Sequence, residues 1–216
     1  MSTRYDAYRE DVLDRHRQRR TQELRQALQD VYIWAHTSDR LFELDDLMAR
    51  VGVPIPQEIV TRSRMARVWE KGCEKFPEER ALGQSRDRSL EVTKMLHYTS
   101  LLANRRIVDP GDVRMWLWNI ANAASQLLPE DFDVLPRALE EYSRAARKHP
   151  GMTLECDGHT DATRLFALVE EIGEVAACLT YDNDAETGHG SELESEVIQV
   201  IALALAWATR YPEGGE

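Results

Sequence analysis

Apolar residues recur at steps of three and four along most of the chain, which is the spacing of one face of an α-helix. Val, Ile and Thr do not cluster in the alternating runs that are typical of β-strands. The pattern therefore predicts an all-α protein, folded as a helical bundle. Helices are expected over residues 5–35, 41–51, 57–75, 89–104, 110–128, 135–148, 161–180 and 191–210.

Two of these helices carry recognisable start signals. Asp109 followed by Pro110 predicts an N-cap and a first helical turn. Ser191 and Glu194 match the S-x-x-E capping box, in which each side chain bonds the backbone of the other residue. The helix that begins there is apolar on nearly every side, so we expect it to be buried in its own core or against another chain.

The clearest break in the helical pattern is the segment KHPGMTLECDGHTD, which combines Pro150 with Gly151 and Gly158. The charge balance changes at the same place. Residues 151–216 hold 14 acidic and two basic residues, whereas residues 1–150 hold 24 acidic and 25 basic ones. We therefore divide the chain into a helical region of unknown role, which packs on the same bundle or stands apart, and an acidic C-terminal helix pair.

Composition and charge argue against several functional classes. The net charge is −11, and the acidic C-terminal third disfavours binding to nucleic acid. Residues 41–67 resemble a helix-turn-helix, but two prolines crowd the start of its second helix. No apolar run reaches the length of about 18 residues that a membrane span needs. Three cysteines without a C-x-x-C pair, and no signal-type segment, predict a reduced cytoplasmic protein.

Acidic residues lie beside the apolar stripe of the helix predicted over residues 161–180. Glu171 and Glu174 are i,i+3 neighbours at the edge of that stripe, and Glu170 points further toward water. Small residues above and below the two acids leave room for a bound group. The stripe itself is formed by Leu165, Leu168, Ile172, Val175 and Leu179.

The next helix repeats this arrangement, with Glu192, Glu196 and Gln199 on one face. If the two helices pack antiparallel, the carboxylates of Glu171 and Glu174 lie opposite this polar face of the second helix. Carboxylates crowded in a half-buried pocket repel one another and lose hydration. A hard divalent cation such as Mg²⁺ or Mn²⁺ relieves both effects, because it prefers oxygen ligands. Spacing alone leaves open the alternative that these acids are exposed and only solvate a helix face.

The same residues carry a resemblance to a known family. Glu171-Ile-Gly-Glu174, with Glu170 before it, resembles the E-x-x-E half-motif of the MazG-like all-α nucleoside triphosphate pyrophosphohydrolases. Glu196-Val-Ile-Gln199, after 21 intervening residues, resembles their second half-motif, E-x-x-D. It looks like a sub-branch with glutamine at the last position, before an Ala-rich helix that contains a tryptophan. The resemblance covers roughly residues 155–210.

The resemblance implies an enzyme that hydrolyses a nucleoside triphosphate, NTP or dNTP, to the monophosphate and pyrophosphate. It implies that Mg²⁺ or Mn²⁺ is bound by four side chains, Glu171, Glu174, Glu196 and Gln199. Glu171 or Glu174 would accept a proton from the attacking water. The family also pairs helices across subunits, which implies a homodimer or a higher homo-oligomer.

Gln199 stands where the family has aspartate, and an amide binds a metal more weakly than a carboxylate and cannot act as a base. Glu192 on the same face, and Glu170, are therefore candidates for additional or outer metal contacts. The alternative is a non-catalytic nucleotide-binding or regulatory module that has kept the MazG-like fold. Arg164 is a candidate for phosphate binding, and we expect further basic residues to come from residues 1–150 or from a second subunit.

Overall fold

The computed structural model describes residues 57–77, 87–104, 109–180 and 192–211, together with Arg15, Gln18 and Arg19. The chain divides into two compact units, Met1–Pro56 and Gln57–Glu216, and the fold given below is that of the second. The helices predicted over residues 5–35 and 41–51, and much of the segment that resembles a helix-turn-helix, lie outside the described residues.

Within these segments the protein is all-α and has no strand, which confirms the predicted fold class. The helices predicted over residues 57–75 and 161–180 have the expected bounds, and the other four predicted between residues 57 and 211 differ by up to three residues at an end. The six helices of the second unit's described segments are α1 Gln57–Lys75, α2 Arg88–Ala103, α3 Pro110–Ser125, α4 Val134–Lys148, α5 Asp161–Thr180 and α6 Leu193–Ala208.

The start of α3 follows its sequence signal, whereas its end does not. Asp109 is the N-cap, and its Oδ1 accepts a 2.7 Å hydrogen bond from the amide of Gly111. The helix ends at Ser125, three residues earlier than expected. The reason is that the amides of Leu127 and Leu128 close tighter i→i+3 turns instead of continuing the α-helical bonds.

The start of α6 lies two residues later than predicted. The helix begins at Leu193 with Glu192 as its N-cap, and the Glu192 side chain makes no capping hydrogen bond. Ser191, the first residue of the predicted capping box, lies outside the described residues. Glu194, the other residue of that box, accepts a 3.2 Å hydrogen bond from Nη2 of Arg137 on α4.

Helix α6 lies at the centre of the bundle, where it packs against α1, α3, α4 and α5. Ten of its 16 residues are buried, all of them between Val197 and Ala208. Each fully buried Val, Leu or Ile side chain contributes about 1.5–3 kcal/mol relative to an exposed one. The apolar surface that runs around this helix is thus covered by helices of its own unit.

Helices from both sides of residue 150 share this core. The turn after α4 places Gly151 at a φ of 75°, a conformation that favours glycine. The following loop is tied to α5 by Arg164, whose Nε and Nη2 each donate a 2.6 Å hydrogen bond, to Leu154 O and Cys156 O. The break that the sequence places near residue 150 is therefore a connection inside one compact unit.

A pair of glycine substitutions tests this packing. A methyl group on Gly72 would lie 1.9 Å from the indole nitrogen of Trp118. That indole is fixed by stacking on Phe76 and by a 3.3 Å hydrogen bond to Trp69 O. We expect Gly72→Ala to lower the free energy of unfolding by about 1–3 kcal/mol, which is the usual effect of overpacking a core.

The matched substitution is Gly173→Ala, where nothing lies within 4 Å of the added carbon. Alanine is the better helix former, so this change is expected to raise the free energy of unfolding by about 0.5–1 kcal/mol. Urea denaturation measures both changes. The packing described for Trp118 is contradicted if Gly72→Ala and Gly173→Ala give the same change.

Candidate metal centre

Helix α5 buries its apolar stripe and leaves its acids at the edge. Leu168, Ile172 and Val175 are buried, as the periodicity predicts. Glu171 directly precedes Ile172, so it is rotated by about 100° from the centre of the stripe. As a result Glu171 is half-buried, whereas Glu174 is exposed.

Helix α6 brings a third carboxylate to the same edge. Glu196 lies in the first turn of α6, directly before the fully buried Val197. Because α5 and α6 pack against each other, the acids of the two helices meet. One oxygen each from Glu171, Glu174 and Glu196 lies within 4.8 Å of the others. We call these three residues the acidic cluster.

Burial and mutual repulsion favour the protonated forms of two of these acids. The pKa of Glu171 is raised to about 7, first by burial and then by the charges of Glu174 and Glu196. The pKa of Glu196 is also raised to about 7, first by burial and then by a hydrogen bond and charge repulsion with Glu174. The cluster therefore holds protons at a pH at which an isolated glutamate is ionised.

One carboxylate oxygen of the cluster lacks a partner. Glu171 Oε2 is fully covered, yet it forms no hydrogen bond with any described residue. Buried polar atoms are nearly always bonded, so an unbonded one calls for a water, a proton or an ion. Mg²⁺ and Mn²⁺ take carboxylate oxygens as ligands. The residues present thus fit a hard divalent cation in charge and in the chemistry of their donor atoms.

Gln199 touches the cluster through its amide nitrogen. Its Nε2 donates a 2.7 Å hydrogen bond to Glu196 Oε2. The amide thereby fixes the carboxylate of Glu196 and adds no further negative charge. A carboxylate at this position would instead add to the repulsion that already raises the pKa of Glu196.

Glu170 and Glu192 contribute charge to the site but do not join the converging oxygens. Both side chains are exposed. The charge of Glu170 helps to raise the pKa of Glu171, and that of Glu192 helps to raise the pKa of Glu196. The group of converging carboxylates found among the described residues includes neither, so their place is around the cluster rather than in it.

Arg164 is not available for the phosphate-binding role suggested by the sequence. Its side chain is 2% exposed, and besides the two loop carbonyls it bonds Asp161 Oδ1 at 3.1 Å. It also lies two helical turns before Glu171, or about 10 Å along α5. We therefore correct this assignment, because the guanidinium is occupied in holding the loop that precedes α5.

Basic residues reach the cluster from α4, which the sequence analysis did not single out. A cavity of about 230 Å³ is lined by Arg144 and Lys148 of α4 together with Glu171 and Gln199. Its apolar floor comes from small and aliphatic side chains of α4, α6 and the connecting loop, including Leu203. These basic residues belong to the region 1–150, from which additional positive charge is expected.

Glu141 is a further acid near the cluster that was missed. It lines the same cavity, and its charge helps to raise the pKa of both Glu171 and Glu196. The available signal was the spacing of residues 141, 144 and 148, which places all three on one face of α4. That spacing shows a shared helix face but does not show which neighbour the face meets.

A larger groove, of about 640 Å³, lies away from these residues. Trp69 and Cys73 of α1 form one side of it, and residues 128–130 and 132–136 form the other. Its lining contains no member of the acidic cluster. Size alone therefore does not locate the chemistry of this protein.

Comparison of the chain with protein-family models, curated proteins and solved structures gives no match. Among the helices that the structure describes, none is long and apolar enough to cross a membrane. A functional assignment therefore depends on the geometry of the acidic cluster and on the order of its residues along the chain.

The raised pKa values predict how stability changes with pH when no divalent metal is present. For Glu171 and Glu196 the pKa is about 7 in the folded protein, against an ordinary value of 4.5. Their contribution to the free energy of unfolding is therefore fully present below the ordinary pKa of 4.5, and it is lost as the pH rises through the folded-state pKa of about 7. Urea denaturation in a chelator is expected to show this decline, and Glu171→Gln is expected to reduce it. If the free energies of unfolding of the native protein and of Glu171→Gln differ by the same amount at every pH, the raised pKa of Glu171 is contradicted.

Added Mg²⁺ or Mn²⁺ is expected to raise the melting temperature, because the ion binds the folded cluster and not the unfolded chain. The effect should be larger above pH 7 than below it, since protons compete for Glu171 and Glu196. Thermal melts, and paramagnetic resonance of free Mn²⁺, measure this binding. Glu171→Gln and Glu196→Gln should weaken it. Glu74→Gln, at an exposed glutamate of α1, is the matched control, and equal binding by all the variants would place the ion elsewhere.

Proposed function

We propose that this protein is a Mg²⁺-dependent nucleotide pyrophosphohydrolase, which converts a nucleoside triphosphate to the monophosphate and pyrophosphate. The observation that carries the proposal is the convergence of Glu171, Glu174 and Glu196 from two packed helices, with their oxygens within 4.8 Å of one another. Their order along the chain, E-x-x-E and then an acid at the head of the next helix, resembles the MazG-like enzymes. The all-α architecture supports the same family.

Glu171, Glu174 and Glu196 would hold the metal. Carboxylate oxygens are the ligands that Mg²⁺ prefers, and the unbonded Oε2 of Glu171 supplies one of them. When bound, Mg²⁺ neutralises charge on phosphate oxygens and lowers the pKa of a coordinated water. Gln199 keeps the Glu196 carboxylate in place through its 2.7 Å hydrogen bond.

Glu171 or Glu174 would act as the general base, as the resemblance to the MazG-like enzymes implies. Water adds its oxygen to one phosphorus of the α–β anhydride, the P–O bond from that phosphorus to the bridging oxygen breaks, and the products are the monophosphate and pyrophosphate. The proton lost by the water passes to a carboxylate of the cluster.

Self-association and a cytoplasmic location are further parts of the proposal. Helix α5 exposes Phe166 and Val169, at 69% and 40% of their surface, on neighbouring turns. An exposed apolar strip of this kind is consistent with a homodimer or a higher homo-oligomer. Sedimentation at several protein concentrations measures the oligomeric state.

A non-catalytic nucleotide-binding or regulatory module is the second candidate function. The observation that favours it is the position of Gln199, whose uncharged amide is bound to Glu196 where the family has aspartate. Such a module binds nucleotide and Mg²⁺ but releases no pyrophosphate. Restoring the acid by Gln199→Asp would then produce activity that the native protein lacks.

Pyrophosphate release from a panel of NTPs and dNTPs tests the proposal. Glu171→Gln, Glu174→Gln and Glu196→Gln are each expected to lower kcat/KM by about 100-fold or more, because each removes a charged group from the reacting centre. Glu74→Gln should leave kcat/KM unchanged. Release that does not require divalent metal, or that survives all three cluster substitutions, would exclude this site as the catalytic centre.

A further inference from the structure

The proposed reaction needs positive side chains close to the acidic cluster, because the substrate and the cluster are both anionic. The described parts of α5 and α6, with the turns beside them, do not supply one. Arg164 is buried against its loop. Arg210, just after α6, donates from Nη1 to Glu155 O at 2.6 Å and to Asp157 Oδ1 at 2.8 Å. Positive charge must therefore come from another part of the protein.

Helix α4 presents basic residues to two adjoining spaces. Arg144 and Lys148 line the cavity of about 230 Å³ that also contains Glu171. Arg144 also lines a groove of about 490 Å³ between α4 and α6, together with Arg137 and Arg147. The second groove also holds Glu140, Glu141 and Glu194, so its charges are balanced, and Arg144 is the arginine that belongs to both spaces.

Glu141 holds the guanidinium of Arg144 through two parallel hydrogen bonds. Nε of Arg144 donates to one oxygen at 2.7 Å, and Nη2 donates to the other at 2.6 Å. The side chain of Glu141 is 18% exposed and that of Arg144 is 54% exposed. Glu141 is therefore largely covered by the protein, whereas the side chain of Arg144 is accessible to solvent. Nη1 bonds no residue of the described segments, and both of its hydrogens can be donated to an anion.

We propose that Arg144 binds the polyphosphate of the substrate, that Glu141 is a positioning residue for its guanidinium, and that Lys148 adds a second positive charge. This inference rests on the function proposed above. A guanidinium matches the geometry of phosphate oxygens, and one that is held in advance loses less conformational freedom on binding. The substrate class is therefore an anion with adjacent phosphates, bound by α4 on one side and by the acidic cluster with its metal on the other.

Calorimetry with inorganic triphosphate at saturating Mg²⁺ tests the role of Arg144, because this ligand has the phosphates of the substrate but no nucleoside. Arg144→Ala is expected to weaken binding by about 10- to 100-fold, which is the usual effect of losing a charged hydrogen-bond partner. Lys148→Ala should weaken it less, and Arg144→Lys should recover part of the loss, because lysine keeps the charge but not the planar fork. Arg88→Ala, at an exposed residue of α2 that lines neither space, is the control and should bind normally.

A double-mutant cycle tests the role of Glu141. Glu141→Gln should weaken triphosphate binding in the native background, because the guanidinium of Arg144 loses its anchor. In the Arg144→Ala background the same change should cause no further loss of binding, since the favourable effect of Glu141 is exerted through Arg144. Additive losses would mean that Glu141 acts independently, and that result would overturn its positioning role.

The outcomes separate this inference from the function on which it rests. If the native chain binds triphosphate in a Mg²⁺-dependent way and Arg144→Ala binds equally well, the inference is overturned while the proposed function stands. If the native chain binds no Mn²⁺, the proposed function fails and the inference fails with it. Urea denaturation checks that Arg144→Ala is folded, and should it be unfolded, Arg144→Lys decides the question by its triphosphate affinity alone.

Discussion

The burial of α6 against four other helices is the constraint on which the rest of the structure depends. A helix that packs against four others can keep polar side chains only near its ends, because a polar group in the core would lose its hydration. Glu196 lies in the first turn of α6, directly before the buried segment, and Gln199 is half-buried on the next turn. Helix α5 packs beside this end, and Glu171 and Glu174 therefore meet Glu196 at the boundary between protein and water.

Partial burial gives the acidic cluster its chemical character. Fully exposed carboxylates would be hydrated and ionised, whereas fully buried ones would remain protonated and bind no cation. Glu171 and Glu196 stand between these limits, with a pKa of about 7, so a divalent cation can displace their protons near neutral pH. Helix α4 completes the arrangement by placing Glu141 and Arg144 on the other side of the same cavity.

The helices could be predicted because they depend on periodicity within one element, whereas the grouping of Glu171 and Glu174 with Glu196 was inferred from the order of the motifs in the family that the sequence resembles. The bounds of α1 and α5 follow from the spacing of apolar residues, and the same spacing places Glu171 at the edge of a buried face. Features that depend on the neighbouring element could not be predicted in this way. The pairing of Glu194 with Arg137 joins two helices, and the burial of Arg164 depends on carbonyl groups whose positions no side-chain pattern encodes.

Three of the contacts that hold the loop between α4 and α5 are made by its main chain. Arg164 bonds the carbonyls of Leu154 and Cys156, and Arg210 bonds that of Glu155. Every amino acid offers the same carbonyl oxygen, so these contacts tolerate many replacements in the loop itself. They do not tolerate a change in its length, because an inserted or deleted residue would shift the oxygens out of reach. Four positions are constrained as well, because Gly151 has a φ of 75°, Leu154 is buried in the core, and the side chains of Glu155 and Asp157 bind Tyr142 and Arg210. Over evolutionary time the length of this loop is therefore expected to stay fixed, while its composition drifts only at the remaining positions.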